Sequence, residues 1–211
     1  MYKKYSDVEF DMIKPFFCAV ASIIICSSSF GQISSMSYAN FEVSQNKIGG
    51  DIEASSNGFS FSLPVNDRLF MTASYEDGKS DDDNVKLDGI QFGLGHTKPL
   101  NSAVDFISYI SFGTNTADFD NENLSADIDT RIINLGIRSQ ATEKTEIKLS
   151  VSNTNIDIDA QGSVAFYYES GENTSIDFGI AHYYQDNIAL IIGVGFDRQG
   201  EDVNFGLRFD L

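Results

Sequence analysis

The sequence predicts an all-β fold, an antiparallel transmembrane β-barrel of ten strands. Three observations point there. One seven-residue grammar recurs five times, the connections between strand-like runs alternate between long acidic and short, and the last run alternates in polarity to the final residue. The copies are Ile90–His96 (Ile-Gln-Phe-Gly-Leu-Gly-His), Ile133–Ser139 (Ile-Asn-Leu-Gly-Ile-Arg-Ser), Ile176–His182 (Ile-Asp-Phe-Gly-Ile-Ala-His), Val203–Phe209 (Val-Asn-Phe-Gly-Leu-Arg-Phe) and, more loosely, Phe59–Val65 (Phe-Ser-Phe-Ser-Leu-Pro-Val). Large apolar residues alternate with small or polar ones, which is the side-chain period of a β-strand. Each copy therefore carries one apolar face and one polar or glycine face.

In chain order, Tyr38–Gln45 is the first strand-like run. Phe59–Pro64 is the second, closed by the turn signal Val65-Asn66-Asp67. Leu69–Tyr75 is the third, with Leu69, Met71, Ala73 and Tyr75 on one face. An acidic loop is expected from Glu76 to Lys86. Leu87–Lys98 is the fourth run, ended by Pro99-Leu100-Asn101-Ser102. Val104–Phe112 is the fifth, and both of its faces are mixed. A second acidic loop is expected from about Asn115 to Asp127. Thr130–Gln140 is the sixth run, followed by the short turn Thr142-Glu143-Lys144. Ile147, Leu149 and Val151 define a seventh. Past Asn153 the apolar residues change parity to Ile156, Ile158, Val164, Phe166 and Tyr168, as a β-bulge would make them do. The run Ile176–Tyr184, the turn Gln185-Asp186-Asn187, a run lined by Ile188, Leu190, Ile192, Val194 and Phe196, and a last run through Val203, Phe205, Leu207, Phe209 and Leu211 complete the chain.

Alternating connection lengths are a property of transmembrane barrels, which have short turns at one end and longer loops at the other. Such barrels also turn apolar residues outward and polar ones inward, over strands of about 9–11 residues. Eleven runs can be counted, but an even number is needed. If all five copies run one way, one opposite strand lies between neighbours. Two runs, Ile147–Ser152 and Val164–Tyr168, compete for one such place. The expectation is ten strands, with a bent seventh whose continuation, about 156–173, projects beyond the membrane. Twelve or eight strands are the alternatives. An unpaired edge in lipid would cost several kcal/mol per orphaned backbone group. The competing fold is a soluble lipocalin-like barrel, which would place the apolar face inside.

The chain has 211 residues, enough for one domain, and a formal net charge of −17. That charge disfavours nucleic acid and suits cations. Residues 1–31 read as a cleavable signal peptide, with Lys14, an apolar core through Cys26 and small residues up to Gly31. Asp7, Glu9 and Asp11 fit such a segment poorly, so Met12 is the alternative start. Residues 32–211 then form the barrel. Both cysteines, Cys18 and Cys26, fall in the exported leader, so the mature chain would have no thiol for a disulfide or a metal.

The stretch Gly93-Leu94-Gly95-His96-Thr97-Lys98-Pro99-Leu100-Asn101 and the ending Phe205-Gly206-Leu207-Arg208-Phe209 carry a resemblance. From about residue 36 to 211 the chain resembles the small porin-like outer-membrane β-barrel proteins of Gram-negative bacteria. The first stretch is similar to their strand-to-turn segment. The second is similar to the C-terminal signal read by the barrel-assembly machinery, although family members usually end in an aromatic residue and this chain ends in Leu211. The resemblance implies residence in the cell outer membrane, with outer-membrane lipid and lipopolysaccharide as surroundings; the sequence leaves the oligomeric state open, a monomer being the expectation.

Several residues are candidates for chemistry. His96 and His182 occupy the same place in two copies. With Tyr184 and Phe209 they read as an interfacial girdle facing outward, since strands two apart keep them separated. No serine stands beside an inward histidine, so a lipid-modifying barrel enzyme has no visible nucleophile and base. The segment around Asp118, Asp120 and Glu122 offers alternating oxygen ligands. It lacks the Gly and the bidentate Glu of a calcium loop, having Asn123 and Asp129 there. No cofactor is expected. The inward faces should carry Gln91, Asn204 and a charged set: Arg138, Arg208, Lys148, Glu146, Asp177 and Asp210. Charges removed from water need partners, so these residues either plug the lumen, leaving a structural or surface role, or line the constriction of a narrow channel.

Overall fold

The computed structural model describes residues 36–48, 52–80, 85–119, 124–161, 166–198 and 200–211. The expected signal segment, 1–31, lies outside these residues, as do Asp120 and Glu122. Ten strands run through the described residues: β1 (Tyr38–Ile48), β2 (Ile52–Pro64), β3 (Leu69–Ser80), β4 (Val85–Asn101), β5 (Val104–Phe119), β6 (Leu124–Thr142), β7 (Thr145–Gln161), β8 (Phe166–Gln185), β9 (Ile188–Phe196) and β10 (Glu201–Asp210). Each pairs antiparallel with its sequence neighbours, and β1 closes on β10. The seam runs from Tyr38↔Asp210 to Asn46↔Asp202, and the Leu211 N–H extends it by donating to the Ser37 carbonyl at 3.0 Å. Closure gives every strand a partner on both sides, so no edge is left to seek one.

The five sequence copies fall on β2, β4, β6, β8 and β10, so all of them run in one direction. The tight connections at 65–68, 102–103, 143–144 and 186–187 gather at the end that also holds both described termini. Local chemistry fixes them. The Asn66 side-chain oxygen accepts the backbone N–H of Arg68 and of Leu69, each at 2.9 Å, and that of Asn101 accepts the Ala103 N–H at 2.8 Å. Register shifts occur between Pro99 and Asn101, Gln140 and Thr142, and Tyr183 and Gln185, all close to this end.

At the opposite end the structure corrects the sequence reading. The acidic stretches expected as loops are mostly strand. β3 runs to Ser80 and β4 resumes at Val85, while β5 runs to Phe119 and β6 resumes at Leu124. Asp77 pairs with Asp88, and Thr116 with Asp127, inside continuous ladders. Asp and Asn are weak strand formers alone, but the ladder already formed below them carries the pairing onward. Connection lengths therefore alternate less than expected; the asymmetry lies in how far the strands overrun. β4 to β8 are 16–20 residues long, whereas β9, β10 and β1 are 9, 10 and 11. β8 pairs with β7 from Phe166 but with β9 only from Ile176. The rim is a tall wall on one side and low on the other.

The expected bulge past Asn153 is also corrected. The β7–β8 ladder is unbroken from Thr145↔His182 to Gln161↔Phe166, and β6–β7 is regular from Ser125↔Gln161 to Gln140↔Glu146. The competing runs resolve into one hairpin, because residues 156–161 continue β7 and Phe166 opens β8. Apolar parity changes while backbone parity does not. Ile147, Leu149 and Val151 share the outward face, whereas Ile156 and Ile158 lie on the inward one, and Asp157 and Asp159 stand outward in the tall wall.

Paired residues share a face, so the ladder can be followed around the barrel. One face carries Phe41, Phe61, Leu94, Phe112, Leu135 and Ile192, and Phe92, Phe112 and Phe205 on it are 59%, 57% and 57% exposed. The inward face carries Ser62, Ser111, Asn134, Arg138, Glu146, Ser150 and Arg208, all buried. Keeping one large apolar side chain in water instead of an apolar medium costs about 1.5–3 kcal/mol. A continuous belt of them around the outside requires an apolar surrounding.

Candidate functional site in the barrel lumen

The lumen is layered. Its floor lies near the tight-turn end and is built by residues within a few positions of their strand termini. Tyr38 opens β1 and Asp210 ends β10; Phe70, Asp105 and Glu146 are second on β3, β5 and β7. Arg208 is the keystone. Its Nη1 donates to Glu146 at 3.1 Å and its Nε to Asp210 at 2.9 Å, and its guanidinium lies 4.2 Å from the Tyr38 ring centre and 5.9 Å from that of Tyr183. The Tyr183 hydroxyl donates to the second Asp210 oxygen at 3.1 Å. One cation thus ties β10 to β7, β1 and β8. Arg138 forms a second pair across to β5, with Nη2 3.2 Å from Asp105. Phe70, only 2% exposed, packs in the same layer against Gly95, where a Cβ would fall 2.1 Å from the Phe70 ring.

Above the floor lies a cavity of about 560 Å³, lined among others by Lys148, Tyr109, Asn134, Ser150 and Asp177. The Lys148 ammonium stands 5.7 Å from the Tyr109 ring centre. The Asn134 amide donates to Ser152 at 2.7 Å, and Ser152 donates to Asp177 at 3.0 Å. Gln91 donates to Ser111 at 3.0 Å. Higher still is an acidic mouth, a space of about 490 Å³ on the low side of the rim, lined by Glu42, Glu76, Asp197, Glu201 and Asp202. Ser56 bridges Ser44 to Glu76 there by hydroxyl contacts. Both spaces share Glu42, Ser60, Ser74, Asp202 and Asn204 in their walls, so the mouth opens into the cavity.

Of the charged set read from the sequence, the fold gathers Arg208, Glu146 and Asp210 into one cluster. It sets Arg138 opposite Lys148 in the β6–β7 register and puts Asp177 higher, opposite Ser150. The sequence reading missed Asp105, Tyr38, Tyr183, Tyr109 and Phe70. Tyr38 and Tyr183 had a signal, since each has the opposite parity to its outward neighbours Phe41 and Tyr184. Phe70 had none, because an apolar residue between Leu69 and Met71 reads as part of a greasy run. His96 and His182 stand apart on β4 and β8, pairing with Leu69 and Leu190 respectively. The His182 ring nitrogen Nδ1 lies 3.0 Å from the Thr145 hydroxyl. Tyr184 and Phe209 are exposed near the same end. Asp118 is exposed on β5, and among the described residues no three His, Cys, Asp or Glu side chains gather as metal ligands do.

No protein-family model matches the chain, and no curated protein matches it by sequence. Its backbone is similar to solved outer-membrane barrels. The translocator domain of the autotransporter NalP from Neisseria meningitidis aligns with a TM-score of 0.51 at 9% identity, over 94% of this chain and 97% of that one. The NanC porin aligns at 0.49 and 10% identity, over 82% and 100%. The outer membrane protease OmpT from Escherichia coli aligns at 0.47 and 10% identity, over 83% and 94%. At such identities the likeness is one of fold, a closed antiparallel β-barrel whose neighbours are porins, translocators and a protease.

Proposed function

We propose that this chain is an outer-membrane β-barrel protein of a Gram-negative cell, with a structural or surface role and a lumen closed at its periplasmic floor. The single observation that carries this reading is the floor itself, where Arg208, Glu146, Arg138 and Phe70 are 6%, 3%, 5% and 2% exposed, Arg208 on β10 is tied to Glu146 on β7, and Arg138 is tied to Asp105 on the adjacent strand. A ten-stranded barrel is narrow enough for side chains to fill its section, and the paired charges of the floor support that reading. The apolar belt favours lipid outside, and the acidic outer face suits lipopolysaccharide bridged by divalent cations. The C-terminal strand, forming the seam with β1, is the segment the assembly machinery would engage. Among the described residues His96 and His182 share the outward faces of their strands, away from the lumen serines, which supports a non-enzymatic reading.

The test is electrical and biochemical. Refolded protein should be silent in planar bilayers. In cells it should fractionate with the outer membrane and change gel mobility on heating. Steady unit conductance would overturn the closed floor. It would favour a narrow channel for ions or small solutes with Arg138, Arg208 and Lys148 at the constriction, a reading the cavity above the floor supports.

A further inference from the structure

The tall wall reverses its polarity above the apolar belt. Within the belt, apolar side chains face out and polar ones line the lumen. Higher up, Asp88, Thr116, Asp127 and Asp159 form one outward cross-strand row, and Asp129 stands opposite Asp157. The inward row there runs through Leu87, Ala117 and Ala126, and Ile128 stands opposite Ile158. This is the pattern of a sheet with water on its outer face and an apolar cover on its inner one. Ala117 and Ala126 are buried, but Leu87, Ile128, Ile156 and Ile158 are only half-buried. The inner face of the wall is incompletely covered.

The same wall ends in an open edge. β8 pairs with β7 from Phe166 to His182, but among the described residues it pairs with β9 only from Ile176 onward. Phe166 to Ser175 therefore lack a neighbouring strand on that side. Tyr183 gives its N–H to the Lys144 carbonyl, towards β7. Backbone groups alternate sides along a strand, so Ser170, Glu172 and Thr174 aim N–H and C=O at the empty side. Such a row is a template for another strand. Between them Gly171 faces inward beside Ile156, and a Cβ placed on it would meet nothing within 4 Å. An apolar side chain on an added strand can cross Gly171 to reach Ile156.

Edge and face together specify the occupant. A strand laid in line with β9 runs antiparallel to β8, as every pair in this barrel does. Its inward residues extend the apolar face, so they should be apolar. Its outward residues join a face that carries Glu172, Asp157 and Asp129, just above the turn where Asp197 accepts the Asn173 amide, so they should be basic. A second copy of this chain would bring its own Glu172 to the edge, and like charges oppose such pairing. We infer that the open edge of β8 captures an extended peptide in which apolar and basic residues alternate, as an added strand of the tall wall. The site lies above the lumen and stands whether or not the floor conducts.

The probe is a blocked, fluorophore-labelled peptide alternating lysine and valine, titrated at low salt into the folded barrel in uncharged detergent and read by anisotropy. Saturable binding is expected, with slowed amide exchange at Ser170, Glu172 and Thr174. In an antiparallel pair the lysines, on the face of Glu172, also aim their N–H groups at β8. N-methylation of the lysines should therefore abolish binding, and N-methylation of the valines should leave it intact. The analogue with glutamate in place of lysine should not bind. Ser170→Pro deletes one edge donor without touching the β7 ladder, and Ile156→Asn removes the apolar contact beside Gly171. Each should weaken the peptide by about tenfold, with heat-modifiable mobility showing that both variants fold. No saturable binding, equal affinity of the two N-methylated peptides or of the acidic one, or unchanged affinity in both variants would overturn the inference. So would peptide-independent dimers that protect the same amides, which would assign the edge to a second copy.

Discussion

Replacing Arg208 by methionine should loosen the whole tight-turn end of the barrel. The side chain joins four strands: it ion-pairs with Glu146 on β7 at 3.1 Å and Asp210 on β10 at 2.9 Å and stacks on Tyr38 and Tyr183. The Glu146 side chain is only 3% exposed, so after the change it remains a buried carboxylate deprived of that cation. Breaking a buried pair from one side costs about 3–5 kcal/mol. The polar lumen can admit water and Asp210 is 18% exposed, which places the expectation near the lower bound, about 3 kcal/mol. Equilibrium urea unfolding in lipid vesicles measures it, through a lower midpoint at unchanged slope. The double variant Arg208→Met with Glu146→Leu removes that buried pair and leaves only the part-exposed Asp210, still held by the Tyr183 hydroxyl, without its cation; it should recover to within about 1 kcal/mol of the parent, because apolar replacement of a whole buried pair is close to neutral. The same single variant should open the floor and produce conductance in bilayers. If Arg208→Met loses less than about 1 kcal/mol and stays silent, the keystone argument fails.

Other expectations follow from neighbouring features. Phe92→Arg, on the apolar belt, should destabilise the barrel in vesicles by about 2–4 kcal/mol, while Gln91→Arg, one residue away and facing the lumen, should cost clearly less; equal costs would mean the faces are reversed. Gly95→Val pushes into the Phe70 ring and should cost about 1–3 kcal/mol as overpacking. Combining it with Phe70→Ala should recover part of that loss, read by the same unfolding midpoint. Asp127 stands directly opposite Asp159 on the outer face of the tall wall. Asp127→Lys should therefore strengthen that hairpin by roughly 0.2–1 kcal/mol, seen as slower amide exchange at low salt and fading as salt rises.

The barrel was legible because its signal is repeated and backed by solvent. Ile90, Phe92 and Leu94, or Val203, Phe205 and Leu207, alternate cleanly, and the spacing of five such copies leaves room for one return strand between each pair. What was not legible lies where one polarity rule gives way to another. Asp77, Asp118 and Asp127 look like loop because strand propensity is a local preference, whereas their pairing is imposed by the ladder beneath. The Ile156–Ile158 parity change looked like a bulge because sequence alternation records the surroundings of a face, not the backbone. β5 was ambiguous since Ile107 and Tyr109, both bulky, line the lumen while Ser108 faces out. In the site, charged inward residues could be named from parity, but partners such as Asp105 depend on register between strands, which a single strand's pattern does not contain.

The unbroken β6–β7 ladder through that parity change has a further consequence. Nothing in the backbone marks the height at which the molecule would float; side chains alone draw the waterline, just above Ile133 and Val151 and below Asp129 and Asp157. The same ladder would ride deeper if those aspartates became leucine, giving a taller greasy hull and a preference for thicker bilayers. Draught is therefore adjustable by point substitution, with neither strand number nor register having to change.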